Sequence, residues 1–560
     1  MTTKLTLLLK KVKTFLVGQK ILQLPVKKIK VNQVGYLPFE RKVFLFTNNN
    51  ENMAGVIFQV VRLSDHTVFK GLLGNVIMDK DSGDKNYMGE FSFVEEPGEY
   101  VIRIGDEESY PFEITPDKYR KLFYTTMRSY YLQRCGMEIN DSISGVSHAP
   151  CHLNGATMES DPRGGEIAAT GGWHDAGDYG KYIPTAALTV AQILLMYELS
   201  PETFNSISLD IPKEKGYLHL PDILAEIKYE LDWMLKMQDL KDGGVYFKVS
   251  TDEFPPENTA PEDDNGICYC YSKGTAVTAN FGAAISIASR IFEKIDQDYS
   301  ETLKKAAISA GEFLIKTNDQ VLVHSVGKTG AYLTSSVKDD LLWCYAELYR
   351  LTGNNKYIAL IEKYWVETFS PNISWDNVSF LAAYALTSCM GISTERQNYI
   401  RDVILQWTKS IKKQISLNGY GSALKLEEYT WGSNKAALAY GVSMILAEKI
   451  LDRNELENEI KAQLDYVLGV NPLSKVFITK IGIDYVRNPH NRLIKSKGIL
   501  IPGLLVAGPN NNAEDGFYSK GLGPKGYVDL FEACSCNEYA IDYNAPLVFV
   551  AGYLFMINKN

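Results

Sequence analysis

Pro221-Asp-Ile-Leu-Ala-Glu-Ile-Lys-Tyr-Glu-Leu-Asp-Trp-Met-Leu235 places its apolar residues at spacings of three and four. This spacing is the period of an amphipathic helix, and Pro221 suits the first turn, where its missing N–H costs no hydrogen bond. About twelve such helices follow residue 116, and the loops that connect some of them are long. The pattern predicts six helical hairpins closed into an (α/α)6 barrel over residues 116–560, with chemistry in the loops. Including residue 221, the helical patterns begin near residues 117, 181, 221, 273, 299, 336, 355, 376, 394, 431, 455 and 542.

The residues before this helical part have a different pattern. Residues 27–115 contain short β-branched and aromatic runs, such as Lys42-Val-Phe-Leu-Phe46 and Val56-Ile-Phe-Gln-Val-Val61. Turns rich in Asn, Asp and Gly separate these runs at the spacing of a β-sandwich. We therefore predict a mainly α protein in which a small sandwich over residues 27–115 precedes the barrel. Residues 1–26 are interpreted as an N-terminal extension.

Composition limits the classes of function. The 560 residues include 58 Lys and Arg against 67 Asp and Glu, a net charge of −9, and 45% are hydrophobic. This balance is typical of a soluble globular enzyme. Because the sequence has no long run of Lys and Arg that could form a basic face, we expect no nucleic-acid partner. No apolar run reaches the ~18 residues of a membrane span, so we expect no membrane partner. The oligomeric state is left open.

The N-terminus imitates a secretion signal only in part. Lys10, Lys11 and Lys13 interrupt the apolar run Leu5-Thr-Leu-Leu-Leu9 before it reaches the ~7 residues of a signal core. No small-residue cleavage site follows. We therefore expect a cytoplasmic protein, or a secreted one if this sequence is a mature form.

Two acidic segments lie at opposite ends of the helical part. Gly171-Gly-Trp-His-Asp-Ala-Gly-Asp-Tyr-Gly-Lys181 holds Asp175 and Asp178, separated by two small residues. Glu538 precedes the last predicted helix. Each segment has two interpretations, because acids are favoured at helix N-termini and paired carboxylates also perform acid–base chemistry.

Several motifs, in this order, resemble glycoside hydrolase family 9, the inverting cellulases, and specifically the group with an N-terminal immunoglobulin-like domain. The likeness covers about residues 28–557. Val31-Asn-Gln-Val-Gly-Tyr36 resembles the opening of that domain, and Gly172-Trp-His-Asp-Ala-Gly-Asp178 resembles the family's first catalytic segment. The C-terminal segments of the family are resembled by Asn471-Pro-Leu473, Pro489-His490-Asn-Arg492, Ala507-Gly-Pro-Asn510, and Asn537-Glu538 with Asp542-Tyr-Asn-Ala545.

The resemblance implies hydrolysis of β-1,4-glycosidic bonds in cellulose-type glucans or cello-oligosaccharides, with inversion. It implies that Asp178 is the general base, that Asp175 helps to hold the attacking water, and that Glu538 is the general acid. Inversion requires an acid and a base on opposite faces of the sugar, roughly 6.5–9.5 Å apart, so these distant segments must meet at one cleft. The resemblance also gives five sugar-binding candidates, and for the two tryptophans among them packing in the core is the alternative role. The candidates are His490, Arg492, Trp431, Trp173 and Tyr543.

A metal site is also predicted. Cys135, Cys151, His152 and His174 offer two thiolates and two imidazoles, the ligands that structural zinc prefers. Their spacing alone is weak support, but the resemblance implies zinc at such a set. Because His174 directly precedes Asp175, the metal would fix the backbone of the catalytic loop. The resemblance makes calcium a further candidate cofactor, without assigned ligands.

Two positions depart from the family pattern and leave the sugar open. Asp484 stands where the family usually has Asn, Lys or Arg, and Cys534 stands where an aromatic residue is usual. A cytoplasmic enzyme would act on imported oligosaccharides, and the resemblance extends to exo-acting enzymes of similar domain layout. The runner-up function is therefore an intracellular, exo-acting β-glucosaminidase or β-glucosidase on short oligosaccharides. A non-catalytic carbohydrate-binding protein is the third hypothesis. Eight cysteines are too sparse for a disulfide scaffold. We expect reduced thiols at Cys268, Cys270, Cys534 and Cys536. The alternative is that these four cysteines pair or bind a second metal.

Overall fold

The computed structural model describes residues 24–160, 165–317, 327–334 and 336–559. Most of the predicted N-terminal extension, residues 1–23, lies outside the described residues, so the interpretation of that segment stays a prediction. Within the described ranges, no helix combines the length and the apolar character that crossing a bilayer requires.

Nine short strands form the sandwich. One sheet has the order β1-β2-β6-β5 and the other the order β4-β3-β7-β8, with β9 also paired to β7. Aromatic rings fill the space between the sheets: Tyr36 meets Phe91 and Phe112 edge-on, with ring centroids 5.0 and 5.2 Å apart. The strands are β1 (Ile29–Lys30), β2 (Val43–Thr47), β3 (Ile57–Arg62), β4 (Val68–Leu72), β5 (Val76–Met78), β6 (Lys85–Glu90), β7 (Gly98–Ile104), β8 (Glu107–Glu108) and β9 (Phe112–Ile114).

Twelve helices of eight or more residues follow within the described part of the chain. The even-numbered helices form a closed inner ring, in which each contacts the next and the last contacts the first, and the odd-numbered helices pack outside it. All begin within three residues of the predicted positions, and the predicted fold class is confirmed. The helices are α1 (Lys118–Arg128), α2 (Ile183–Leu199), α3 (Asp222–Lys236), α4 (Thr275–Phe292), α5 (Gln297–Thr317), α6 (Lys338–Thr352), α7 (Lys356–Lys363), α8 (Ser379–Thr387), α9 (Thr394–Leu417), α10 (Ser433–Leu451), α11 (Glu457–Val467) and α12 (Ile541–Ile557).

Inner and outer helices differ because their surroundings differ. Helix α2 is buried on almost every side, as its nearly continuous apolar sequence requires. Helix α9 buries only one stripe of residues and exposes the rest. Loops between helices carry the remaining strands and short helices: Ile139–Asn140, Ser147–His148, Ala156–Met158, Glu166–Ile167, Lys181–Tyr182, Lys248–Thr251, Cys268–Cys270, Val476–Thr479 and Tyr485–Val486 as strands, and Pro201–Asn205, Arg492–Lys497 and Cys534–Asn537 as helices.

The segment that precedes β2 joins the sandwich to the barrel. Gln33 Nε2 donates to the carbonyl of Ser474 at 2.6 Å, and Gln33 Oε1 accepts from the backbone N–H groups of Ile483 and Asp484. Gly35 has φ +112°, and a Cβ there would lie 1.9 Å from the carbonyl oxygen of Glu113. Only glycine fits this turn. The sandwich thereby fixes the barrel loop that leads toward residues 488–492.

Candidate active site and metal centre

Four loop segments meet at one end of the barrel. The backbone N–H of His490 donates to the carbonyl of Asn537 at 2.8 Å, and that of Ala507 donates to the carbonyl of Glu538 at 2.8 Å. The N–H of Ile541 donates to the carbonyl of Asp175 at 2.8 Å. These backbone bonds bring together acidic residues that are more than 350 positions apart, as the sequence predicted.

Asp175 is fully buried and hydrogen-bonded through both carboxylate oxygens. Thr185 Oγ1 donates to Asp175 Oδ1, and Tyr332 Oη donates to Asp175 Oδ2 at 2.6 Å. Burial, reinforced by the charge of Asp542, raises the pKa of Asp175 well above its usual range, against these two hydrogen bonds. The carboxylate is therefore held in one orientation.

Asp178 has a different environment. The backbone N–H of Gly180 and the hydroxyl of Tyr182 both donate to Asp178 Oδ2, at 3.0 and 3.2 Å. Among the described residues, both donors use the same oxygen, which leaves Oδ1 available to a water molecule. A Cβ at residue 180 would lie 2.7 Å from Asp178 Oδ2, so glycine is required for this close approach.

Glu538 faces the same loop from the other side. The N–H of Gly177 donates to Glu538 Oε1 at 3.3 Å. Burial raises the pKa of Glu538 to about 8, and the negative charge of Asp178 adds to the increase. Glu538 therefore carries its proton at neutral pH, which is the state that an acid catalyst needs.

His490 and Arg492 lie beside this pair of carboxylates. His490 Nδ1 is 2.9 Å from the carbonyl of Phe531, so Nδ1 carries the proton and Nε2 is an acceptor. Burial lowers the pKa of His490, which keeps the ring neutral. Arg492 donates to the carbonyl of Gly177 through both its backbone N–H and Nη1. The guanidinium also lies 5.2 Å from the ring of Phe254.

The structure separates the other three sugar-binding candidates. Trp173 is fully buried, and its indole Nε1 donates to Glu226 at 2.9 Å. Its prediction as a sugar-binding residue is wrong, because no ring face is accessible. Trp431 is 42% exposed, and the half-buried Tyr543 adjoins the same loop. Their sugar-binding role stays a prediction.

Two aromatic residues of the site had no sequence signal. Tyr332, which binds Asp175, packs edge-on against Trp375 with ring centroids 5.3 Å apart, and against Tyr182 at 5.1 Å. Trp375 is half-buried, in a loop between helices. An isolated Tyr or Trp in a loop has no recognisable pattern, so only the fold shows that Tyr332 binds Asp175 and that Trp375 packs against Tyr332.

The four predicted metal ligands lie together. Each of Cys135, Cys151, His152 and His174 offers one ligand atom, and all four atoms lie within 4.8 Å of one another. His152 Nδ1 is buried without a hydrogen-bond partner among the described residues, and His152 has a left-handed φ of +48°. A hydrogen bond from Cys151 lowers the pKa of Cys135 well below its usual range, which favours a thiolate. The donor set therefore fits a tetrahedral metal ion.

A fifth residue supports this cluster from outside. His152 Nε2 lies 3.3 Å from Asp264 Oδ2, so the carboxylate fixes the ring and turns Nδ1 toward the thiols. Metal-binding histidines usually have such a carboxylate partner. Asp264 belongs to the acidic stretch 262–265, which gave no ligand assignment from sequence. Calcium ligands stay unassigned. None of the eight cysteines is paired in a disulfide.

Comparison with known proteins gives the family. The family model described as Glycosyl hydrolase family 9 matches residues 119–551, and the one described as Cellulase N-terminal ig-like domain matches residues 25–109. The chain belongs to glycosyl hydrolase family 9. It is therefore an enzyme that hydrolyses glycosidic bonds, and the resemblance inferred from the motifs is confirmed.

The relatives of this family 9 enzyme match it along nearly its whole length. Endoglucanase D of Acetivibrio thermocellus is 32% identical over 541 residues, which covers 94% of this chain and 83% of that protein. The crystal structure of a metagenome-derived glycoside hydrolase family 9 endoglucanase is 37% identical with a TM-score of 0.88, and covers 94% of this chain and 98% of that one. A Zn-binding triple mutant of the family 9 endoglucanase J30 is 33% identical with a TM-score of 0.88, at coverages of 92% and 99%.

The structure locates the two positions where this family 9 enzyme departs from the family pattern. Asp484 is buried and paired with Lys475 at 3.1 Å, and its backbone N–H donates to Gln33, so it belongs to the contact with the sandwich. Cys534 is half-buried. Burial raises the pKa of its thiol to about 11, and the negative charge of Glu538 adds to the increase. Of the two, Cys534 is the one that adjoins the acidic pair.

Proposed function

We propose that this enzyme hydrolyses β-1,4-linked glucans or cello-oligosaccharides with inversion, using Glu538 as general acid and Asp178 as general base. The observation that carries the proposal is the pair of unequal carboxyl groups on the two sides of Gly177. The pKa of Glu538 is raised to about 8 by burial and by Asp178, whereas Asp178 accepts two hydrogen bonds through Oδ2 and keeps Oδ1 available to a water molecule. Inverting hydrolysis needs this division of roles.

The acid step uses the proton on Glu538. As the glycosidic bond breaks, Glu538 donates this proton to the leaving oxygen, and positive charge develops on the sugar ring. Arg492 donates to the carbonyl of Gly177, and the Gly177 N–H donates to Glu538 Oε1. These two bonds join Glu538 and Arg492 to the loop that carries Asp178.

The base step uses the available oxygen of Asp178. A water molecule between Asp178 and the sugar loses its proton to the carboxylate while its oxygen attacks the anomeric carbon from the face opposite the leaving group. Asp175, held by Thr185 and Tyr332, helps to orient that water. His490 and the aromatic side chains Trp431, Trp375 and Tyr543 are proposed to contact the sugar.

We propose zinc as the metal of the Cys135, Cys151, His152 and His174 cluster. Two thiolates and two imidazoles are the donors that structural zinc prefers. When bound, zinc would supply rigidity and no acid–base chemistry. Because His174 precedes Asp175, a fixed His174 would limit the movement of the catalytic loop. The Zn-binding mutant among the related structures is consistent with this choice.

Glu538→Gln tests the acid role. The amide keeps the shape of the side chain but carries no acidic proton, so we expect turnover of cellotetraose to fall at least ~100-fold while binding, measured by calorimetry, persists. Glu532→Gln is the matched control, since Glu532 is on the same segment and its carboxylate pairs with Lys495 at 3.9 Å. A Glu538→Gln variant with wild-type turnover would overturn the assignment.

The substrate and the stereochemistry need a separate experiment. The purified enzyme is compared on carboxymethylcellulose, cello-oligosaccharides and chitosan oligosaccharides, and the anomer released first is read by proton NMR. Mixed oligosaccharides from the polymer, released as α-anomers, would support an endo-acting inverting glucanase. Monosaccharide released only from chitosan oligomers would favour the exo-acting glucosaminidase instead.

A further inference from the structure

One face of the outer helix α3 contacts the catalytic loop. Glu226, Tyr229, Glu230 and Trp233 recur on α3 at spacings of three and four, so they lie on one side of the helix. All four are buried. Two buried glutamates on one helix face are costly unless they are hydrogen-bonded, and neither has a part in the acid–base chemistry.

Both glutamates accept hydrogen bonds from the same residue, Trp173. The backbone N–H of Trp173 donates to Glu230 Oε2 at 2.6 Å, and the indole Nε1–H donates to Glu226 Oε1 at 2.9 Å. Trp173 is thus held at its main chain and at its side chain. Glu226 is fixed in turn by Arg134, with Nε at 3.0 Å from Oε1 and Nη2 at 2.9 Å from Oε2.

The rest of this helix face holds the neighbours of Trp173. The hydroxyl of Tyr229 donates to the carbonyl of Cys135 at 2.6 Å, and the N–H of Cys135 donates to the carbonyl of Gly172 at 2.7 Å. A Cβ at residue 172 would lie 2.8 Å from the ring of Trp233, so the loop lies directly against the helix.

We propose that Glu226 and Glu230 are positioning residues for hydrolysis, which fix Trp173 and thereby the backbone of the adjoining residues His174 and Asp175. The inference rests on the proposed function, because fixing Asp175 matters for turnover only if Asp175 orients the attacking water. Neither glutamate touches the substrate. Trp173, which the sequence predicted to bind sugar, is instead the residue that the two glutamates fix by hydrogen bonds.

The geometry gives a specific reason for an effect on turnover. Asp175 follows Trp173 by two residues, and a displacement of about 1 Å at reacting groups can cost about 100-fold in rate. Removing Glu230 Oε2 leaves the N–H of Trp173 buried without this acceptor, which costs free energy. A shift of the loop that finds another acceptor would lower that cost. The substrate contacts proposed at His490 and Trp431 lie on other loops and keep their places.

Glu230→Leu tests the proposal, with Glu230→Gln as the conservative variant. Burial raises the pKa of Glu230 to about 8, so the neutral glutamine preserves both charge state and acceptor. We expect kcat on cellotetraose to fall at least ~10-fold in Glu230→Leu with KM within about twofold, and Glu230→Gln to retain most of kcat.

Glu448→Leu is the matched control. Glu448 is also buried and accepts a backbone N–H, that of Leu456 at 2.7 Å, together with the hydroxyl of Tyr553 at 2.9 Å. It lies about 22 Å along α10 from the end that adjoins Trp431. We expect Glu448→Leu to lower the melting temperature as Glu230→Leu does, without lowering kcat.

The outcomes are distinguishable from failure of the proposed function. If Glu230→Leu and Glu448→Leu lose stability equally and both keep kcat, the positioning role is refuted, even when Glu538→Gln is inactive. If Glu230→Leu does not fold, Trp173→Phe replaces it, since it removes the Nε1 donor to Glu226 and keeps an aromatic ring. A Trp173→Phe variant with unchanged kcat would equally refute the proposal.

Discussion

Gly177 directly precedes Asp178 and donates its N–H to Glu538, which makes Gly177→Ala an informative change. A Cβ at this position would lie 2.6 Å from His490 Cδ2, 2.7 Å from the carbonyl oxygen of His490 and 2.9 Å from Glu538 Oε1. Gly177 is not among the residues with positive φ, so alanine adds no backbone strain. The substitution therefore tests the space beside Glu538 and His490.

The magnitude follows from these distances. Each is at least ~0.4 Å shorter than a van der Waals contact of about 3.4 Å, and two of the three atoms belong to the backbone of His490 or to the buried Glu538. Overpacking of this kind costs about 1–3 kcal/mol of stability. If relief comes from a shift of about 1 Å in Glu538, turnover falls about 100-fold. We expect kcat to fall between ~10- and ~100-fold, with a smaller change in KM.

The assay compares Gly177→Ala with Gly216→Ala. No atom lies within 4 Å of a Cβ at residue 216, and Gly216 also has no positive φ. Initial rates on cellotetraose and melting temperatures are measured for both variants and the wild type. Gly216→Ala should match the wild type in both. A Gly177→Ala enzyme with wild-type kcat would refute the geometry in which Glu538 is the crowded acid beside Asp178.

Four further predictions concern pH, the metal site and the sugar. Glu538 acts in its protonated form and its pKa is about 8, so kcat/KM should fall as the pH rises through about 8; a pH–rate profile without this basic limb contradicts the assignment. Asp264→Asn removes the carboxylate that fixes His152 and should weaken zinc affinity about 10- to 100-fold in competition with a chromogenic chelator, whereas unchanged affinity would show that the carboxylate is dispensable. Removing the metal should lower the melting temperature and kcat together, and an apo enzyme that is equally stable and active would argue against the proposed role. Trp375→Ala should raise KM roughly tenfold, because loss of the apolar contact of one aromatic ring with a sugar is expected to cost about 1.4 kcal/mol. An unchanged KM for cello-oligosaccharides of every length would place Trp375 outside the cleft.

The sequence by itself determined the helices and the order of the motifs. Helix α3 was visible because the spacing of its apolar residues depends only on the helical period. The proposed catalytic segment around Asp175 and Asp178 was predictable for a related reason, since its glycines and acids are adjacent in the chain. The four candidate metal ligands were also predicted from the sequence, although only the fold shows their atoms within 4.8 Å of one another.

Other features were decided only by the tertiary structure. Trp173 gave a sugar-binding prediction that its complete burial contradicts. Tyr332 binds Asp175 across 157 positions of sequence, and Glu230 binds Trp173 across 57. Such partners carry no local signal, because a hydrogen bond depends on where two distant segments meet and not on the residues that adjoin either one. Burial in the folded protein also raises the pKa of Glu538 above that of an exposed glutamate. Packing therefore decides which of the acidic residues in the sequence can serve as the proposed proton donor.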